Sequence, residues 1–93
     1  MHGKPSSYAP YGPYNGYKNW HTWNLVLWLL NDESYYFAIQ DWLEVEKSRR
    51  NYSAMVRFLT EERELPKTNP DGVSFTNNLV NRKEVMDAVL EGT

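Results

Sequence analysis

Residues 20–30, with the sequence WHTWNLVLWLL, are apolar on nearly every side of the helix that they would form. Three tryptophans, at positions 20, 23 and 28, fall within this run and cannot all point in one direction. A helix that is apolar all round is buried among neighbours on more than one face. The run therefore predicts a central helix, with Thr22 as its N-cap and Asn31-Asp32 as its stop and as the cap of the next helix. A strand is the competing interpretation, and helix is favoured because no partner strand with period-two alternation occurs elsewhere.

The rest of the chain predicts three further helices. The second runs from about 33 to 49 and the third from about 52 to 64. Their apolar stripe has no phase break, which leaves one long helix open, but the turn and cap residues of 48–53 favour a break near 49–51. Asn69-Pro70-Asp71-Gly72 is a turn signal, after which Val73 and Phe75 are expected in the core. A last helix starts near Asn81, with Glu84 completing a capping-box-like pair. The fold class is all-α, a small bundle of three to four helices over residues 20–93.

Residues 1–19 are rich in Tyr, Gly and Pro and almost free of aliphatic side chains, which predicts a flexible, disordered N-terminal arm. Tyr8, Tyr11, Tyr14 and Tyr17 recur every third residue, so in polyproline II their rings would line one side of the arm. Such a stripe could stack on single-stranded bases, dock in a protein groove or fold back over the domain. A groove on a partner protein is favoured over nucleic acid as the binding site of the arm, because Lys4 and Lys18 are the only Lys or Arg residues of the arm.

Composition and motifs exclude most kinds of chemistry. Ten Lys plus Arg against twelve Asp plus Glu give a net charge of −2, which names no charged partner, and the absence of cysteine excludes disulfides and thiolate sites. His2 and His21 have no HxxxH or HExxH partner, so no metal site is expected. No catalytic signature or phosphate loop is present, and the carboxylates of Glu61, Glu62 and Glu64 lie on the predicted solvated face. We therefore expect no enzyme and no cofactor.

The tryptophan-rich run has a second possible role in recognition. Trp is enriched among interface hot spots, so an exposed Trp20 or Trp23, with His21 between them, would be a natural anchor for a partner. The alternative is a packed tryptophan core. Asn24 is the odd polar residue of the run, and if buried it must satisfy its amide, on the backbone of the arm or on Asp32.

Two motifs give the chain a family resemblance. The first is Thr22-Trp23-Asn24, continuing to Trp28 and Asn31-Asp32 (T-W-N-x-x-L-W-x-x-N-D), and the second is the P-D-G-V segment with Asp71 and Gly72. On these residues the chain resembles a group of short, mostly uncharacterised bacteriophage and plasmid proteins over about residues 17–90. The resemblance implies a viral or mobile-element accessory protein and brings no established activity or catalytic residue.

Three functional interpretations follow. The first is a module that binds a host protein, or inhibits one, through the aromatic arm and exposed Trp or Tyr anchors. The second is a nucleic-acid-associated accessory protein with the tyrosines as stacking platforms. An enzyme is the third and least favoured. No apolar run reaches the roughly 20 residues needed to cross a bilayer, so we expect a protein of the cytoplasm, in a host cell if phage-encoded. A homodimer that completes the small core is a further hypothesis.

Overall fold

The computed structural model describes residues 12–92. Its regular elements are α1 (Trp20–Asn31), α2 (Glu33–Val45), α3 (Tyr52–Arg57), a π-helical segment (Phe58–Glu62) that continues α3, and α4 (Arg82–Gly92). No strand occurs among these residues, where extended pairing is limited to isolated bridges of Tyr14 with Tyr17 and Thr68 with Ser74. The predicted small helical domain is confirmed, and the competing strand assignment of residues 20–30 is wrong. Within residues 12–92, no helix has the length and apolarity to cross a bilayer.

Helix α1 is capped by Asn19 rather than by Thr22. The Asn19 side-chain oxygen accepts hydrogen bonds from the Thr22 amide at 2.8 Å and from the Thr22 hydroxyl at 2.9 Å. The prediction of Thr22 as N-cap is wrong because the helix begins at Trp20, which places Thr22 in its first turn. The central position of α1 is confirmed, since its buried residues cover most of its circumference: Trp20, His21, Thr22, Asn24, Leu25, Val26 and Leu29.

Asp32 joins α1 to α2, as predicted. Its amide donates to the Trp28 carbonyl at 3.0 Å and ends α1, while its carboxylate accepts from the Tyr35 amide at 3.3 Å and caps α2. Because one residue serves both helix ends, α2 follows α1 with no intervening loop. The face of α2 that then meets the core consists of Tyr35, Ala38, Ile39 and Trp42.

Helices α2 and α3 are separate, and the break covers residues 46–51. The predicted interruption is confirmed, but α2 ends at Val45 and not near Arg49. Two side chains explain the early end. The Glu46 carboxylate accepts from the Arg49 amide at 3.1 Å, and the Arg50 guanidinium donates to the carbonyls of Leu43 and Glu46, at 2.7 Å each. These bonds satisfy carbonyls that the last turn of a helix leaves without intrahelical donors.

The segment between α3 and α4 closes the core from one side. Val73 and Phe75 are 1% and 3% exposed, which confirms the prediction that they fill the core. The Phe75 ring contacts the rings of Tyr35 and Tyr52 edge-on, with centroids 6.2 Å and 6.5 Å away. The Tyr52 hydroxyl donates to the Phe75 carbonyl at 2.6 Å, which fixes this segment against α3.

Helix α4 runs parallel to α1. Asn81 caps its start by accepting from the Glu84 amide at 3.0 Å, as predicted. The other half of the predicted capping box is absent, because the Asn81 amide donates to the Thr22 hydroxyl at 2.9 Å and the Glu84 carboxylate accepts from the Lys18 amide at 2.8 Å. The two helices therefore touch at their starts. At the other end Gly92 lies against α1, where an added Cβ would come within 3.0 Å of a Leu30 methyl group.

Residues 14–19 belong to the folded domain and not to an arm. Tyr14 and Tyr17 exchange backbone hydrogen bonds of 2.9 Å and 2.8 Å across a two-residue turn. Asn15 and Gly16 occupy that turn with φ of 47° and 87°, as a tight hairpin turn requires. The polyproline II stripe is thus wrong over 14–17, and a flexible arm is wrong over 12–19. Tyr8 and Tyr11 lie outside the described residues.

Candidate functional site

The two sequence motifs meet in one hydrogen-bonded cluster. The Asp71 carboxylate oxygen Oδ2 accepts from the Asn24 amide nitrogen at 2.8 Å and from the Trp28 indole nitrogen at 2.9 Å. The Asn69 side-chain nitrogen donates to the Asn24 oxygen at 2.9 Å. We call Asn24, Trp28, Asn69 and Asp71 the motif cluster. It ties α1 to the loop before α4 across more than 40 residues of chain, since Asn24 and Asp71 are 47 positions apart.

Asn69 also builds the loop that presents Asp71. Its side-chain oxygen accepts from the amides of Asp71 and Val73 at 3.0 Å each, and its carbonyl accepts from the Gly72 amide at 2.9 Å. Gly72 has φ of 88°, a left-handed conformation that glycine adopts without a steric penalty. The turn predicted at residues 69–72 is therefore present, and its function here is to aim a carboxylate at α1.

The partners of Asn24 differ from those expected. Asn24 is fully buried, and its amide contacts Asp71 and Asn69 rather than the arm or Asp32. Asn31 lies outside the cluster, on the surface, where its side chain donates to the Leu27 carbonyl at 2.9 Å. The motif residues thus have a structural role in this fold.

Of the residues expected to bind a partner, five are described by the structure, and these are buried or half-buried. Trp20 and His21 are 1% and 7% exposed, so the idea that Trp20 is an exposed anchor is wrong. Trp23 is half-buried, and the Tyr14 ring contacts it edge-on with a centroid distance of 4.9 Å. Tyr17 is also half-buried. The rings of residues 14–23 therefore pack against one another and against the core of the domain.

No metal centre is formed by the described residues, in which no three His, Asp or Glu side chains gather. His21 instead contacts the Trp20 ring at a centroid distance of 5.2 Å.

Two concave surfaces lie on either side of α3. The first, which we call the apolar groove, lies between the end of α2 and α3 and has a volume of about 320 Å³. Its apolar residues are Trp42, Val45, Ala54 and Phe58, and its rim carries Glu46, Arg49, Arg57 and Glu62. Val45 is 73% exposed although its side chain is wholly aliphatic. This groove combines an apolar floor with a rim of balanced charge.

The second surface, which we call the cationic pocket, lies between α3, residue 67 and the start of α4 and has a volume of about 280 Å³. Tyr52 and Phe75 form its aromatic floor, and the side chains of Arg57, Lys67 and Arg82 reach it from three separate parts of the chain. Burial raises the pKa of Tyr52 to about 12, against a smaller opposing effect of the Arg82 charge. The Tyr52 hydroxyl therefore stays protonated and keeps its bond to the Phe75 carbonyl.

These features can be set beside known proteins. A family of unknown function, DUF7249, matches residues 11–92. The chain belongs to this family. No curated protein and no solved structure matches it. The matched region begins just before the Tyr14–Tyr17 turn and ends with α4, so the family's sequence pattern includes the turn and all four helices.

Sequence reasoning missed both concave surfaces. Arg57, Lys67 and Arg82 are spread over 26 positions and form no motif, so only the tertiary fold brings them together. The role of Asn69 was missed for a different reason, because an Asn before Pro was interpreted as a turn residue alone. The Tyr14–Tyr17 turn did carry a signal, since Asn15-Gly16 is a favoured dipeptide for a two-residue hairpin turn.

Proposed function

We propose that the protein is a protein-interaction module that docks an apolar segment of a partner protein in the apolar groove. The observation that carries the proposal is the exposure of aliphatic Val45, 73%, at the edge of a concave surface floored by Trp42 and Phe58. Apolar side chains on a concave surface gain free energy by covering each other, at about 25 cal/mol for each Å² removed from water. A partner side chain seated there would cover Val45.

The charges at the rim favour an uncharged occupant. Glu46 and Glu62 offset Arg49 and Arg57, so the groove has no surplus of either sign. The Arg49 amide, hydrogen-bonded to the Glu46 carboxylate, lowers the pKa of Glu46 and so keeps it ionised. Balanced charges around an apolar centre resemble the polar rim and apolar core of protein interfaces.

Phe37 offers a second anchor on the same helix. It is 58% exposed and contacts the Tyr36 ring edge-on, with centroids 5.9 Å apart. Phe37 and Val45 are eight positions apart in sequence, about 12 Å along the axis at roughly 1.5 Å per residue. Asp41, between them, is paired with Arg63 at 2.6 Å. An extended segment or a helix of a partner could therefore contact both apolar side chains.

The proposal also covers the kind of partner and the place of action. The resemblance of the two motifs to bacteriophage and plasmid proteins supports an accessory protein whose partner is a protein of the host, and whose place of action is the host cytoplasm. A non-enzymatic role fits a surface of this kind. The nucleic-acid alternative has less support, because Tyr14 packs on Trp23 and is not presented for base stacking.

The test compares exposed apolar residues on two different helices. The double variant Phe37→Ser/Val45→Ser removes both anchors, and Leu90→Ser on α4 is the matched control, because Leu90 is also exposed, at 43%. Substitution of exposed residues changes stability by about 0.5 kcal/mol or less, so all variants should fold. Affinity capture from host lysate with quantitative mass spectrometry should show a protein bound by the wild type and by Leu90→Ser but lost with the double variant.

Equal capture of the same protein by the double variant would contradict the proposal. A second copy of the chain could occupy the groove instead of a host protein, and analytical ultracentrifugation distinguishes these two cases. A homodimer would show twice the monomer mass of 11.0 kDa and would dissociate in the double variant.

A further inference from the structure

The cationic pocket carries more positive than negative charge. Arg57, Lys67 and Arg82 line it together with a single carboxylate, that of Glu61, which leaves a surplus of two positive charges. Within residues 12–92 the ion pairs are Arg63 with Asp41 and Lys83 with Asp87, so none of the three cations of the pocket is neutralised by a paired carboxylate. Three like charges repel one another unless an anion joins them.

The pocket is also built in a fixed way. The Arg82 guanidinium lies over the Tyr52 ring, 5.2 Å from its centroid, which holds the charge at the rim. The Tyr52 ring is itself fixed by its hydroxyl bond to the Phe75 carbonyl at 2.6 Å. Arg57 projects from α3, and the Lys67 backbone is held by a 3.1 Å bond from the Phe75 amide to its carbonyl. The cations therefore come from anchored segments.

Hydroxyl groups complete the lining. Ser53, Thr60 and Thr76 all border the pocket. The Thr60 hydroxyl donates to the Val56 carbonyl at 2.8 Å, and the Thr76 hydroxyl shares a hydrogen bond with Ser74 at 3.0 Å. The Ser53 hydroxyl makes no hydrogen bond within the described part of the chain. It can therefore donate a hydrogen bond to an oxygen of a ligand. Arginine forks and hydroxyl donors are the groups that bind phosphate oxygens.

We propose that the cationic pocket binds a phosphate monoester. A monoester carries about 1.5 to 2 negative charges at pH 7, which matches the surplus of two. A phosphodiester of nucleic acid carries one charge per phosphate and matches less well. The volume of about 280 Å³ lies just below the roughly 300–1,000 Å³ of small-ligand pockets, so the pocket admits one phosphate and a small organic group.

The proposal is tested by titrating the full chain with phenyl phosphate at constant ionic strength. Two-dimensional NMR spectra recorded at each step monitor the backbone amides. The expected result is a saturable shift of the Ser53, Thr60 and Thr76 amides. Lys67→Gln and Arg57→Gln should each weaken binding about tenfold, as the loss of a charge-assisted hydrogen bond does. Lys47→Gln is the matched control, because Lys47 is exposed and lies outside the pocket, and it should leave the affinity unchanged.

Two further probes identify the source of the phosphate. Tighter binding of a phosphoserine peptide than of phenyl phosphate would indicate a modified protein, and weaker binding would indicate a small metabolite; both support a monoester site. The absence of a saturable shift at millimolar phenyl phosphate would overturn the proposal, as would an equal loss with Lys47→Gln. Binding of a thymidine decamer without binding of phenyl phosphate would overturn it in favour of nucleic acid. Arg57 also lies on the rim of the apolar groove, whereas Lys67 does not, so the Lys67→Gln result distinguishes this proposal from the proposed function.

Discussion

Replacement of Asp71 by alanine tests the idea that the motif cluster holds the fold together. The Asp71→Ala variant removes the oxygen that accepts from Asn24 at 2.8 Å and from Trp28 at 2.9 Å. Asn24 is fully buried, so its amide cannot turn to water when this acceptor is lost. Trp28 is only half-buried, and water can replace part of its bond.

The expected loss follows from these two environments. A buried donor that loses its acceptor costs about 1–3 kcal/mol, and a bond partly replaced by water about 0.5–1.5 kcal/mol. The sum is about 1.5–4.5 kcal/mol. Native domains are stable by about 5–15 kcal/mol, so Asp71→Ala should lose a large part of the stability of the domain.

The loss in free energy of unfolding is measured by urea unfolding, monitored by far-ultraviolet circular dichroism so that the result does not depend on Trp28 fluorescence. Asp41→Ala is the matched control, because Asp41 is a surface carboxylate, 55% exposed, whose ion pair with Arg63 should contribute about 1 kcal/mol or less. Asp71→Asn keeps an oxygen acceptor and should lose less than Asp71→Ala. A double-mutant cycle with Trp28→Phe should give a coupling energy of at least about 0.5 kcal/mol. Equal unfolding midpoints for Asp71→Ala and Asp41→Ala would refute the reasoning.

Three further predictions concern the backbone and pH. Asn19→Ala should destabilise the fold by about 0.5–2 kcal/mol in urea unfolding, because α1 loses its N-cap, and Asn51→Ala, at the exposed cap of the shorter α3, should lose less. Glu64 has φ of 54° without being glycine, so Glu64→Gly should raise the free energy of unfolding by about 1 kcal/mol, and a lower melting temperature would count against this. Burial raises the pKa of Tyr52 from 10.0 to about 12, so the folded state holds that proton more tightly than the unfolded state. The contribution of the Tyr52 proton to the free energy of unfolding is complete below pH 10.0 and is lost as pH rises toward 12. Urea titrations at several pH values should show this decline in stability, and Tyr52→Phe should reduce it.

The sequence predicted the helices well because their signals are local. Asp32 could be recognised as a shared cap from its position after an apolar run, and Asn81 from the spacing to Glu84. The break between α2 and α3 and the start of α3 were predicted from cap chemistry, but the early end of α2 was not, because it depends on how Arg50 folds back onto the Leu43 carbonyl.

The site was predicted less well because its contacts are remote in sequence. Both motifs were identified, yet nothing in the chain says that Asn24 meets Asp71, and a buried asparagine can be satisfied by many partners. The aromatic residues were misjudged for a related reason. Tyrosines with Gly and Pro indicate an unstructured segment by composition, whereas Tyr14 has a specific partner in Trp23 that composition does not reveal.

The contacts between the two ends of the folded region bear on how the chain folds in the cell. Bonds of Lys18 to Glu84, Asn19 to Leu79 and Thr22 to Asn81 join positions 66, 60 and 59 residues apart. Loops of this length must close before such contacts form, and their closure slows folding. During translation α1 emerges before α4, along which it packs. The tryptophan-rich first helix therefore stays exposed until α4 has emerged from the ribosome, and chaperones have access to it during that interval.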